Sequence, residues 1–289
     1  MTHVDDGEHP PPATPERFGL RLHRALAEHG PLCVGIDPHR ELLDAWGLPD
    51  SPDGLREFCT VVLAAATGRC AAVKPQSAFF ERHGSAGVAV LEELLGQARR
   101  RGLLTVLDAK RGDIGSTMQG YAQAYLGPGA PLSADALTLS PYLGYEALRP
   151  AVDLARDAGR GAFVLVRTSN PEAAQVQSVG RPSVAARVLA GVGRDNRGQE
   201  PCGDIGVVVG ATVDLADEQL GLAEALAPVL APGVGAQGAD EHDVARSFAA
   251  VRGRVLVPVS RAVLGAGPAG VEAEVGRWAE RLAAALGRG

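Results

Sequence analysis

Lysine is nearly missing from this 289-residue chain: of its 28 basic residues only Lys74 and Lys110 are lysines, and all the others are arginines. A GC-rich coding bias accounts for the exchange of lysine for arginine. It does not account for the two positions that escape it. An excess of positive charge is missing as well. With 34 acidic residues the formal net charge is −6, which argues against a non-specific nucleic-acid binder. Any anionic ligand must therefore meet a local cluster of cations. Cysteine is sparse; Cys33, Cys59, Cys70 and Cys202 are far apart and form no CxxC. Reduced thiols of a cytoplasmic protein are expected, not a disulfide framework. No apolar run approaches ~18 residues, so a membrane-spanning helix is excluded. The chain also has no HExxH, no Cys/His cluster and no Gly-x-Ser-x-Gly. Metal ligation and a serine nucleophile elbow are thus left without their usual motifs.

What is present describes a globular chain with a large core, 46% hydrophobic and 21% charged. Residues 1–16 are acidic and proline-rich with no apolar stretch, which reads as a disordered tail and not as a signal peptide. Residues 17–289 read as one domain. Eight short apolar runs recur, at 32–37, 71–76, 103–110, 136–141, 162–167, 205–211, 229–234 and 254–260. They do not alternate strictly, as expected of strands buried on both faces. Helical periodicity fills the intervals, most clearly at 55–67, 87–101, 144–158, 183–192 and 240–251, with a final amphipathic helix at 272–286. Ser85 is the expected cap of the helix that Gly102 ends. Asp240-Glu241-His242-Asp243 reads as a solvated helix start. Eight strand-helix units spaced in this way predict a single (β/α)8 barrel. A doubly wound sheet is the alternative, but it prefers an early Gly-x-Gly-x-x-Gly, and Gly35-Ile36-Asp37-Pro38-His39 is not one. A loop excursion is expected at 170–203, where the interval between strands is longest and polar.

Barrel chemistry gathers at the C-terminal ends of strands, and polar residues appear where these apolar runs stop. Asp37, Lys74, Asp108 with Lys110, Ser169 and Arg261 all fall there. Both lysines of the chain are among them. Asp108 and Lys110 are two apart, so on a strand they face the same way. A carboxylate beside an ammonium keeps it charged, and a charged lysine donates a proton, which arginine does not. Spacing alone leaves open a plain ion pair at a strand end. The loops after the last two strands, Pro232-Gly233-Val234-Gly235-Ala236-Gln237-Gly238 and Ser260-Arg261, suit a phosphate: small residues expose backbone N–H groups and Arg261 adds a bidentate charge. A tight turn is the alternative reading of the first. Cys33 and Cys70, in or beside strands, read as core.

Taken together, these segments resemble a known family. Asp108-Ala-Lys110-Arg-Gly-Asp113-Ile114 is similar to the signature of the orotidine 5′-phosphate decarboxylases, and the remaining segments resemble their mycobacterial-type subfamily. Those segments are Val34-Gly-Ile-Asp37-Pro-His, Val73-Lys74-Pro-Gln-Ser-Ala-Phe-Phe-Glu81, Leu139-Ser-Pro-Tyr-Leu-Gly144, Thr168-Ser-Asn-Pro171, Gly210-Ala-Thr212, Leu230-Ala-Pro-Gly-Val-Gly-Ala-Gln-Gly238 and Pro258-Val-Ser-Arg261. They run in order from about Phe18 to the last helix. The resemblance implies a cytoplasmic carboxy-lyase that converts orotidine 5′-monophosphate (OMP) to UMP and CO2, the last step of de novo UMP synthesis, with no metal and no organic cofactor. It implies Lys110 as proton donor to C6 of the pyrimidine and Asp108 as the carboxylate set against the departing one. Asp37 would touch the ribose, with Lys74 its charged neighbour. Ser169 would bind the pyrimidine, and Gln237 and Arg261 the phosphate. It implies a homodimer in which Asp113 and Thr117 reach the neighbouring site. The chain departs from many relatives in Gly115, where they carry proline, in Ser260, where they carry glycine, and in the longer 170–203 segment. Two rivals remain at this point: a Mg²⁺-dependent sugar-phosphate decarboxylase or aldol-type synthase with the same Asp-x-Lys-x-x-Asp, and a non-catalytic barrel that binds a phosphorylated ligand.

Overall fold

A computed structural model describes residues 15–213, 220–235 and 238–287. Its eight strands are β1 (Leu32–Ile36), β2 (Ala72–Pro75), β3 (Leu104–Arg111), β4 (Ala136–Leu139), β5 (Gly161–Arg167), β6 (Ile205–Val209), β7 (Val229–Leu230) and β8 (Val255–Val259). They pair in parallel, each with its successor, and β8 returns to β1 to close the barrel. The eight predicted strands and the barrel are both observed. The seventh is cut to two residues, because Pro232, which has no N–H to give a ladder, follows soon after.

Why the runs fail to alternate is clear from the packing. Every residue of β1, β2, β4, β6 and β8 is buried. One set of side chains faces inward: Cys33, Ala72, Leu104, Val106, Ala136, Phe163, Val208, Leu230 and Leu256 form an inner core. The other set faces the surrounding helices in a larger outer core. The inner core is closed from below by the helix Phe18–His29, whose Phe18, Leu22 and Leu26 enter it. Phe18 meets Phe163 edge to face, centroids 6.0 Å apart. Gly161 is required there, since a Cβ would stand 2.2 Å from the Phe18 ring. Polar contacts fasten the same helix: Gly19 N–H donates to Asp204 (2.8 Å), and Arg21 donates to Asp135 (2.6 Å).

The outer helices follow their sequence signals. Ser51 caps Pro52–Ala66, Ser183 caps Val184–Asp195, and Asp240 with Asp243 forms a reciprocal capping box at Glu241–Ser247. Ser85 does not act as a cap. Gly84, left-handed at φ +63°, turns the chain into the helix Gly84–Arg100 one residue earlier, so Ser85 lies inside the first turn. Gly102 does end that helix, at φ +72°. The 170–203 excursion carries short helical turns at Pro171–Ala173 and Ala174–Gln177 before the outer helix Val184–Asp195.

Candidate active site

Inward parity continues up each strand past the apolar core. Cys33 leads to Asp37, Ala72 to Lys74, Leu104 and Val106 to Asp108 and Lys110, Ala136 to Thr138, and Leu256 to Ser260. One alternation therefore makes both the apolar plug and the polar floor above it. The strands β1 and β2 set Gly35 beside Lys74, and a further bridge sets Gln76 beside Asp108.

Asp108 is the centre of the floor. Lys74 Nζ stands 3.0 Å from its Oδ2, and Lys110 Nζ 2.6 Å from its Oδ1. Asp37 Oδ1 lies 3.9 Å from Lys74 Nζ. The four groups thus make the alternating row Asp37–Lys74–Asp108–Lys110, formally neutral. Burial alone raises the Asp108 carboxyl, but the two ammonium groups outweigh it and hold the group well below its usual range. For Lys74, burial alone favours the neutral amine; Asp108 and Asp37 outweigh it and push its pKa up. The two lysines differ in access: the Lys74 side chain is 9% exposed and that of Lys110 47%.

The backbone bends at the key residue. The β3–β4 register shifts between Leu107 and Arg111, and Lys110 sits in the left-handed region at φ +46°. A non-glycine residue held there costs ~1–3 kcal/mol and persists only where the surroundings impose it. Thr138 does so. Its Oγ1 accepts from Ala109 N (3.0 Å) and Lys110 N (2.9 Å), and its hydroxyl donates to Asp108 Oδ1 (2.9 Å). Thr138 was not among the residues expected from sequence. One signal was available: it is the single polar residue within an otherwise apolar strand.

The other expected residues lie around this row. Ser169 is half-buried beyond the end of β5, packed against Gly210. Arg261 is exposed and opens a short helical turn, Arg261–Leu264, after β8. Ser260 packs over Gly35, where a Cβ would stand 2.7 Å from it. Gln237 lies outside the described residues. Asp113 is half-buried, accepts the Ile114 N–H (2.8 Å) and makes no contact with the row; Thr117 is exposed in the first turn of the helix Gly115–Leu126. Behind Lys110, Arg111 is held by Glu81 and by the Tyr125 hydroxyl (2.9 Å), which braces the end of β3 from outside. Cys33 and Cys70 are buried, and burial pushes the Cys70 thiol up to about 12, as expected of core residues and not of nucleophiles. Among the described residues, no three His, Cys, Asp or Glu side chains are grouped to hold a metal ion. No described helix is long and apolar enough to cross a membrane.

Comparison with known proteins gives one answer. Residues 30–275 match the model of the orotidine 5′-phosphate decarboxylase / HUMPS family. An orotidine 5′-phosphate decarboxylase of Streptomyces coelicolor is 56% identical over 257 residues, 88% of this chain and 91% of that one. One from Salinispora arenicola is 53% identical over 256 residues, with the same shares covered. Among solved structures, a Streptomyces avermitilis protein superposes with TM-score 0.89 at 49% identity, covering 99% of each chain. The OMP decarboxylase of Leishmania donovani superposes with TM-score 0.73 at 30% identity, covering 93% of this chain and 99% of its own.

Proposed function

The chain belongs to the orotidine 5′-phosphate decarboxylase / HUMPS family, and on that premise we propose how its residues perform the reaction. It is a carboxy-lyase: it converts OMP to UMP and CO2, the final step of de novo UMP synthesis. The chemical difficulty is that breaking the bond from C6 to the carboxylate leaves an electron pair on C6 with no adjacent electron sink. Stabilisation must come from preorganised charge and positioning. Lys110 faces the developing negative charge and then transfers one Nζ proton to C6. Its neutral amine is reprotonated from solvent, to which it is half open. Asp108 stands where the substrate carboxylate enters and opposes it as a like charge, and Lys74 holds Asp108 in place. Asp37 binds the ribose, Ser169 the pyrimidine, and Gln237 with Arg261 the phosphate. Binding energy from that remote phosphate supports catalysis at C6.

The observation that carries this reading is Asp108 gripped between two lysines in a chain that has only two. The test is the loss of OMP absorbance with EDTA present. Wild-type turnover that survives EDTA separates this reading from a Mg²⁺-dependent relative. Lys110→Ala and Lys110→Arg should each lower kcat by at least ~10³-fold; near-normal turnover by either removes the proton-donor assignment.

The assembly we propose is a homodimer in which Asp113 and Thr117 reach the partner's site. Its support is local. Ile114, the neighbour of Asp113 in the chain, is 62% exposed in the loop after β3, and Tyr142 and Leu143 are 78% and 55% exposed in the loop after β4. Large apolar side chains left exposed on the loops of adjacent strands suit a surface covered by a partner. A cytoplasmic location accords with four free, buried thiols.

A further inference from the structure

We infer that Thr138 is a positioning residue for this reaction: its one hydroxyl fixes both the proton donor and the carboxylate against it. The inference rests on the reading of Lys110 and Asp108 given above. A threonine hydroxyl has one proton to donate and two lone pairs to accept with. At Thr138 all three are committed. Ala109 N and Lys110 N donate to Oγ1 at 3.0 and 2.9 Å, which occupies the lone pairs. The hydroxyl proton is then left one acceptor, Asp108 Oδ1 at 2.9 Å. That is also the oxygen which receives Lys110 Nζ.

The arrangement has two effects. The β3–β4 register jumps from Leu107 opposite Leu137 to Arg111 opposite Leu139, so residues 108–110 have no partner in that ladder, and the N–H groups of Ala109 and Lys110 turn to the same side. Thr138, on that neighbouring strand and only 1% exposed, receives both and so holds Lys110 at φ +46°. Left to itself, a lysine would leave that conformation, and Nζ would swing with its backbone. At the same time the donated proton requires an acceptor at Oδ1, which favours Asp108 as the carboxylate and sets its orientation. With Lys74 on Oδ2, both carboxylate oxygens are tied. Thr138 touches no reacting atom; it acts through its two neighbours.

Thr138→Val keeps the shape and removes the hydroxyl, and Thr138→Ser keeps the hydroxyl and removes the methyl. The valine variant is expected to lose ~100-fold in kcat for OMP, the scale of misplacing a reacting group by about 1 Å, with KM within ~3-fold of wild type because the groups proposed to bind phosphate and ribose are untouched. The serine variant is expected to recover kcat to within ~5-fold of wild type. A merely structural role predicts otherwise: both variants lose thermal stability, and kcat per folded molecule is unchanged. A folded valine variant with kcat within ~3-fold of wild type overturns the inference, as does a folded serine variant no more active than valine. Should valine fail to fold, Thr138→Ala is judged by the same limits. Wild-type protein that does not decarboxylate OMP defeats the proposed function instead, so the two failures are distinguishable.

Discussion

Lys74 and Lys110 share Asp108 but have opposite surroundings. The first is enclosed and paired on both sides; the second stands at the opening of the barrel. A buried carboxylate with two cationic partners is costly to break, by ~3–5 kcal/mol when one partner is removed, because a charge is left unpaired. Asp108→Asn should therefore lower stability as well as kcat. Its pH dependence follows from the direction of the shift. The folded-state pKa of Asp108 is depressed, so its contribution is complete above the unfolded value of ~3.9 and drains away as pH falls below it. The gap in Tm between wild type and Asp108→Asn should shrink as the buffer is taken below pH ~4, and thermal melts across pH 3–7 check it. Asp108 and Lys110 were legible in the sequence because strand period alone puts residues two apart on one side. Thr138 was not, since period assigns a face but not the bond made there.

At the scale of elements, the strands were the most legible part. Chain segments buried on both faces leave continuous apolar runs, and polar residues mark where those runs reach the mouth. Helix starts were less so: Ser85 has the chemistry of a cap, but Gly84 opens the helix ahead of it. The helix Phe18–His29 sits under the barrel because Phe18, Leu22 and Leu26 repeat at helical spacing and fill the inner core. That end of a barrel serves stability, while the other serves chemistry. Phe18→Ala should cost ~3–5 kcal/mol, as for other fully buried aromatics. The kcat of the folded enzyme should stay within ~2-fold of wild type, since Phe18 enters the inner core from the end opposite the polar floor. Urea denaturation followed by an assay under native conditions measures both. A large fall in kcat at full folding would show that the plug also shapes the polar floor.

For the whole molecule, the net charge of −6 opposes an anionic substrate at long range, so binding must rely on a few placed cations. That makes the proposed sharing of sites between subunits open to a decisive mixing experiment. Lys110→Ala and Asp113→Ala are each expected to be inactive. If Asp113 serves the neighbouring site, exchanging subunits between them places both defects in one site and leaves its twin intact. About a quarter of wild-type activity per site should return after random exchange between two-fold dimers; no recovery would place Asp113 in its own subunit's chemistry. Such a pairing is not legible from one chain's periodicity, because Asp113 makes no contact with the row it is proposed to complete. Lysine scarcity has a practical corollary for the intact protein. Lys74 is enclosed and Lys110 open, so an amine acylating reagent has one accessible side-chain target. Inactivation should track acylation of Lys110, located by peptide mapping to separate it from reaction at the α-amine, and a substrate analogue should shield it. The enzyme thus carries one accessible side-chain amine, at the atom proposed to deliver the proton.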